Sequence, residues 1–182
     1  MSVLFIDSSY DITLGLLDDN REWLDLRTFR GQRASHTLQT ESYQLLKNSG
    51  LQVKDLNAIV SIAGPGFYTG LRLSEGFADV TKFFQVPHFS FYSYEIPAWL
   101  GHTEGAWVTK AYRGEYFVFE WNGTHQNKKL IDVKQLGSLV LPTKVFIHSE
   151  TSLDDKLRPI TVNAVSTMDL VKSSPKKIFE KV

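Results

Sequence analysis

The chain has no cysteine among its 182 residues, which removes disulfides, thiolate nucleophiles and cysteine-based zinc sites together and fits a reducing compartment. It has no surplus of charge: 20 basic side chains balance 20 acidic ones, so no global field draws it onto nucleic acid or an anionic membrane. No apolar run approaches the roughly 20 residues of a membrane span, and the opening "MSVLFIDSS" lacks a basic segment with a cleavage site. The expectation is a cytoplasmic protein without a membrane role. His36, His88, His102, His125 and His148 show no paired spacing for a metal. No Ser-His-Asp set or paired carboxylates can be argued from order along the chain, so neither a catalytic residue nor a metal site is assigned.

What is present is an apolar content of 42%, enough to bury a core in one domain or two small lobes. "SVLFIDSS" (2–9), "ITLGLLDD" (12–19) and "EWLDLRTF" (22–29) read as strands of an antiparallel meander, because the breaks between them are too short for helices. From Ala34 the period becomes helical. Ala34, Leu38, Leu45 and Leu46 share one face, and Gly50 followed by Leu51 supplies a stop in which Leu51 folds back onto Leu46. The opposite face carries His36, Thr40, Tyr43 and Lys47. It is either a solvated face or a contact surface.

The apolar strand "AIVSIA" (58–63) then runs into "GPGFYTGLR" (64–72), a helix over about 70–85, and the strand-like "VPHFSFYS" (86–93). Leu73, Phe77, Val80 and Phe84 are the expected core stripe of that helix, extended to one side by Gly76 and Phe83. A mid-helix glycine costs about 1 kcal/mol relative to alanine, so something is expected to pack close to Gly76. A glycine-rich turn between strand and helix aims backbone N–H groups at an anion. The Walker pattern needs Gly-Lys-Ser/Thr, and here Leu71 and Arg72 follow Gly70. The loop is therefore a phosphate cradle of another kind or a sharp packing turn. Asp7 closes the first strand ahead of Ser8 and Ser9, either to hold a metal water and meet phosphate or simply to cap a turn.

Beyond Gly101, "GAWVTKAYRGEYFVFEWNG" holds two β-rich runs around Arg113-Gly114, and "KKLIDV" and "KVFIHS" offer two more. Asn122-Gly123 reads as a hairpin turn rather than a glycosylation acceptor. The tail reads as one helix, a break at Pro175 and a solvated basic end with Lys172, Lys176, Lys177 and Lys181. The organisation expected is one lobe over 1–100 and a smaller one over 101–182, with no internal sequence repeat.

Several of these segments resemble one family. "VLFIDSSYDITLGLLDD", a helix carrying "SHTLQTESYQLLKNSGL", and a loop that differs from Gly-Pro-Gly-Ser-Phe-Thr-Gly-Val-Arg only at Phe67-Tyr68 and Leu71 are similar to the TsaB (YeaZ) family over residues 3 to about 121. The resemblance implies an α/β fold of the actin-like, sugar-kinase and Hsp70 (ribonuclease H-like) class, with two lobes of mixed sheet, flanking helices and a shortened second lobe. It implies a non-catalytic scaffold or activator subunit that pairs with the catalytic paralogue TsaD. Together with the ATPase TsaE, such a complex installs threonylcarbamoyl on the adenosine beside the anticodon of tRNA. A homodimer is also expected, with tRNA met only through the complex and no cofactor on this chain alone, ATP or ADP belonging to the complex.

The same resemblance places the partner interface at His36, Thr40, Tyr43, Lys47, Gly76 and Phe83. It makes Gly64, Pro65, Gly66, Thr69, Gly70 and Arg72 a structural turn or vestigial phosphate loop, and Asp7, Ser8 and Ser9 a vestigial nucleotide site. The paralogue holds metal through His-x-x-x-His on its first helix; here Thr40 stands four residues after His36, and a hydroxyl is a poor substitute for imidazole. Lys110 and Tyr112 depart from the family's aspartate and arginine, so a ligand role there is not expected. The alternative is a small actin-like ATPase or phosphotransferase using Asp7 and the Gly64–Arg72 loop.

Overall fold

The strand-forming opening stretch builds the meander: β1 (Val3–Asp7) pairs antiparallel with β2 (Ile12–Leu17), and β2 with β3 (Trp23–Phe29). The computed structural model describes residues 2–31, 34–161 and 163–182, and the side chains of Ala34, Ser35, Thr151 and Ile160 fall outside that description. The helical period after β3 forms α1 (Ala34–Asn48), which leads to β4 (Ala58–Gly64), laid parallel to β1. The next helix, α2 (Tyr68–Thr81), leads to β5 (His88–Tyr92), parallel to β4, so the sheet order is β3-β2-β1-β4-β5. β1, at its centre, is buried along its whole length.

α1 ends as its sequence dictates. Gly50 takes φ +70, its N–H donates to the Lys47 carbonyl at 3.1 Å, and the Leu51 N–H donates to the Leu46 carbonyl at 2.9 Å. That is a Schellman stop, with Leu51 packed back on the core. Leu38, Leu45 and Leu46 lie in that core with Leu4, Ile6 and Ile59; the Ala34 side chain, expected on the same face, is outside the described residues. Phe5, Trp23, Phe91 and Phe179 make a separate aromatic cluster, with ring centroids 5.4 Å apart for Phe5–Phe179 and 5.6 Å for Trp23–Phe179.

The second unit repeats the plan. After the short α3 (Ile96–Trp99), β6 (Glu104–Lys110), β7 (Tyr116–Asn122) and β8 (His125–Ile131) form an antiparallel meander. α4 (Val133–Leu136) precedes β9 (Val145–Ile147), parallel to β6, and β10 (Val165–Ser166) is parallel to β9. α5 (Thr167–Ser173) and α6 (Pro175–Phe179) follow. The sheet order β8-β7-β6-β9-β10 is the order of the first sheet again. Asn122 pairs with His125, so the hairpin residues are Gly123, at φ +57, and Thr124. Pro175 opens a second short helix rather than only ending the first, a position where its missing N–H costs nothing.

The compact units are 1–92 with 179–182, and 93–178. The division thus falls at Tyr92/Ser93 rather than near Gly101, because the turns over 93–99 pack against α5. The last residues rejoin the first unit through Phe179. No helix among the described residues is long and apolar enough to cross a membrane.

A half-buried polar pair pins the second unit. The Tyr116 hydroxyl donates to Asp154 Oδ2 at 3.0 Å, and Lys110 Nζ lies 3.5 Å from the same oxygen. Burial and the Asp154 hydrogen bond push the Tyr116 phenol up to about 12. Burial pushes the Asp154 carboxyl up, but the Leu157 amide, the Tyr116 hydroxyl, the Lys156 amide and Lys110 outweigh it and hold it below the usual range. The tyrosine's raised value contributes stability that is intact below its ordinary 10 and lost as pH rises toward 12. The carboxylate's lowered value contributes stability that is lost as pH falls through the acid range. Tyr116→Phe is expected to cost about 1 kcal/mol at neutral pH and to flatten the alkaline limb, measured by urea unfolding across pH.

Candidate functional site

The "GPGFYTGLR" loop leaves β4 at Gly64, whose φ of +125 requires glycine, passes a cis Gly64–Pro65 peptide and enters α2 at Tyr68. Gly66 and Gly70 are needed for a different reason. A β-carbon on Gly66 would stand 2.5 Å from Ser9 Cβ, and one on Gly70 would stand 1.9 Å from the Ser8 carbonyl oxygen. The loop is laced onto the end of β1 by hydrogen bonds: Phe67 N–H donates to the Ser9 carbonyl at 2.7 Å, and Ser8 Oγ donates to the Gly70 carbonyl at 2.7 Å. Ser8 Oγ also meets Ser74 Oγ, and Ser9 N–H donates to Asp7 Oδ1 at 2.9 Å.

Asp7, Ser8 and Ser9 are thus brought together with the loop, at 1%, 2% and 0% exposure. A phosphate cradle would offer its amides and hydroxyls outward; here the Phe67 amide and the Ser8 hydroxyl are used by the protein itself. Among the described residues the buried Ser9 hydroxyl has no hydrogen-bond partner. Thr69 and Arg72 face solvent, Arg72 pairing with Glu75 at 2.6 Å and lying over the Tyr68 ring at 5.2 Å.

This clamp turns α2. Its buried positions are Gly70, Ser74, Ala78 and Thr81, a row of small residues, because contact at Ser8 admits no side chain at Gly70. The expected stripe of Leu73, Phe77, Val80 and Phe84 is corrected accordingly. Leu73 and Phe77 are only partly buried, while Val80 is 60% and Phe84 51% exposed. Small residues at steps of four, four and three were the signal that hydrophobicity alone passes over. The expectation of close packing at Gly76 also fails: nothing lies within 4 Å of a β-carbon built there.

The two helices pack against each other and leave large side chains outside. Tyr43 is 60% and Phe83 89% exposed; His36, Thr40, Lys47 and Gly76 are exposed as well. Between α1, the linker after it and α2 lies a groove of about 560 Å³, walled by Tyr43, Leu51, Phe77 and Phe84, with Lys47 and Lys54 among its lining. His36, Thr40, Gly76 and Phe83 do not line it. Sequence reading missed Phe84 as a surface residue; it placed Leu51 only in the stop of α1, and it missed Leu51 and Lys54 as groove residues. In the second unit, Tyr112 is 77% exposed beneath Arg113, and Lys110 serves the Asp154 pair.

No protein-family model matches the chain, and no curated protein matches its sequence. Solved structures do. A Pseudomonas aeruginosa protein described as uncharacterised, with similarity to peptidase YeaZ, is similar at 19% identity and a TM-score of 0.60, over 80% of this chain and 74% of that one. YeaZ from Pseudomonas aeruginosa is similar at 17% identity and a TM-score of 0.61, over 81% and 75%. The chain therefore has the fold of these YeaZ structures, built here from two mixed five-stranded sheets of one strand order.

Proposed function

We propose that this protein is a TsaB-type scaffold subunit, which binds the catalytic paralogue TsaD through α1 and α2 and supports threonylcarbamoylation of tRNA without performing the transfer. The observation that carries this reading is the outward apolar surface of two packed helices and the turn that follows α2, with Tyr43, Val80, Phe83 and Phe84 between 51% and 89% exposed. Tyr43 and Phe84 line one groove, and a contiguous exposed apolar patch, unlike scattered single residues, marks an interaction site. Two further features support it. The loop and Asp7-Ser8-Ser9 close on one another instead of opening on a nucleotide, and His36 is followed by Thr40 where the paralogue has its second metal ligand.

In this reading TsaD supplies the transfer chemistry, TsaE the nucleotide hydrolysis, and the chain works in the cytoplasm, alone as a homodimer. tRNA meets the assembly rather than this subunit. The test is capture of the tagged protein from its native cytosol, with bound chains identified by mass. TsaD is the expected companion; its absence from a capture that retains other specific partners would remove the assignment and leave the fold.

A further inference from the structure

We infer that the groove between α1 and α2 receives an apolar side chain from a partner helix whose flanks are acidic. The inference rests on the reading of this face as an interface and adds the chemistry of what fills it. The walls are apolar and aromatic, from Tyr43, Leu51, Phe77 and Phe84, and the volume of about 560 Å³ is that of a site for a large buried group. A groove flanked by helices is filled economically by a third, whose apolar face enters while its flanks meet the rim.

The rim sets the sign of those flanks. Its charged lining residues are Lys47 and Lys54, and among the described residues no carboxylate lines the groove. Among the described residues neither lysine forms an ion pair. Lys47 Nζ reaches only the Tyr43 ring, 5.8 Å from its centroid. The nearest acid in sequence, Asp55, accepts the Gln52 N–H at 2.8 Å. Two ammonium groups beside an apolar slot favour carboxylates on the incoming segment and repel a basic one.

A second copy of this chain fits less well. The knob it would present, Phe83, follows Asp79 and Glu75 on α2, and each acid is already paired within its own helix, with Lys82 and Arg72 at 2.6 Å.

The test uses two labelled helical peptides with the same Leu/Phe face, one flanked by glutamate and the other by lysine, titrated into the full chain and followed by fluorescence anisotropy. The glutamate peptide is expected to bind about 10-fold more tightly at low salt, with the gap narrowing at about 0.5 M salt. The double variant Lys47→Glu/Lys54→Glu, at two exposed positions, is expected to invert the preference. Equal affinities, no binding of either peptide, or a groove occupied by a second copy that neither peptide displaces would each overturn the inference. The outcome is independent of the capture experiment: an acidic preference without TsaD in the cytosolic complex would keep the groove and remove the function. TsaD without an acidic preference would do the reverse.

Discussion

Replacing Gly70 by alanine is expected to destabilise the first unit by about 3 kcal/mol, lowering its thermal transition by about 15 °C. The added β-carbon would overlap the Ser8 carbonyl oxygen at 1.9 Å, and that oxygen belongs to backbone that cannot swing aside as a side chain would. Relief requires α2 to back away from β1, stretching the 2.7 Å bond from Ser8 Oγ to the Gly70 carbonyl. Helix propensity favours alanine by about 1 kcal/mol at either glycine of α2, so the overlap must outweigh that gain at Gly70. Gly76 supplies the control. Nothing lies within 4 Å of its built β-carbon, and Gly76→Ala is expected to stabilise by about 1 kcal/mol. Chemical denaturation of the two variants measures both signs; a Gly70→Ala protein as stable as the parent would mean that the loop does not clamp β1.

Tyr43→Glu is expected to weaken the complex with TsaD by at least about 100-fold, or about 2.7 kcal/mol, while leaving stability within about 0.5 kcal/mol. Tyr43 is 60% exposed on α1 and forms one wall of the groove, so the isolated chain gains little from its ring. An interface that buries it would have to take a carboxylate into an apolar slot. Titration calorimetry on variant and parent separates the effects. Unchanged affinity with unchanged stability would move the interface elsewhere on the molecule.

The elements that could be read from sequence are those whose signals are local. Alternation over 2–29 became the meander, and Gly50-Leu51 stopped α1 through bonds that close within five residues. The buried face of α2 was not legible, because it is decided by Gly70 meeting Ser8, 62 residues earlier. Hydrophobicity put the large side chains inside; a backbone contact put the small ones there. The common strand order of the two sheets left no sequence repeat, since nonlocal pairing with Phe5 beside Val60 in one sheet and Trp107 beside Phe146 in the other sets it. The boundary at Tyr92 and the return of Phe179 are likewise products of tertiary contact. At the candidate site the exposed Tyr43 and Lys47 were legible from helical spacing. Phe84 and the Leu51–Lys54 stretch were not, because they reach the groove through the tight turns that follow each helix.

The central claim is that this chain enables transfer without performing it, and reconstitution tests that most directly. TsaD and TsaE would be supplied with threonylcarbamoyl-AMP and unmodified tRNA, with and without this protein, and the modified nucleoside counted. The expected result is no transfer by this chain alone, multiple turnovers only when it joins TsaD, and full activity retained by an Asp7→Asn variant that folds as the parent does. Magnesium-dependent ATP turnover by the isolated chain that Asp7→Asn abolishes, together with no effect on transfer, would contradict it.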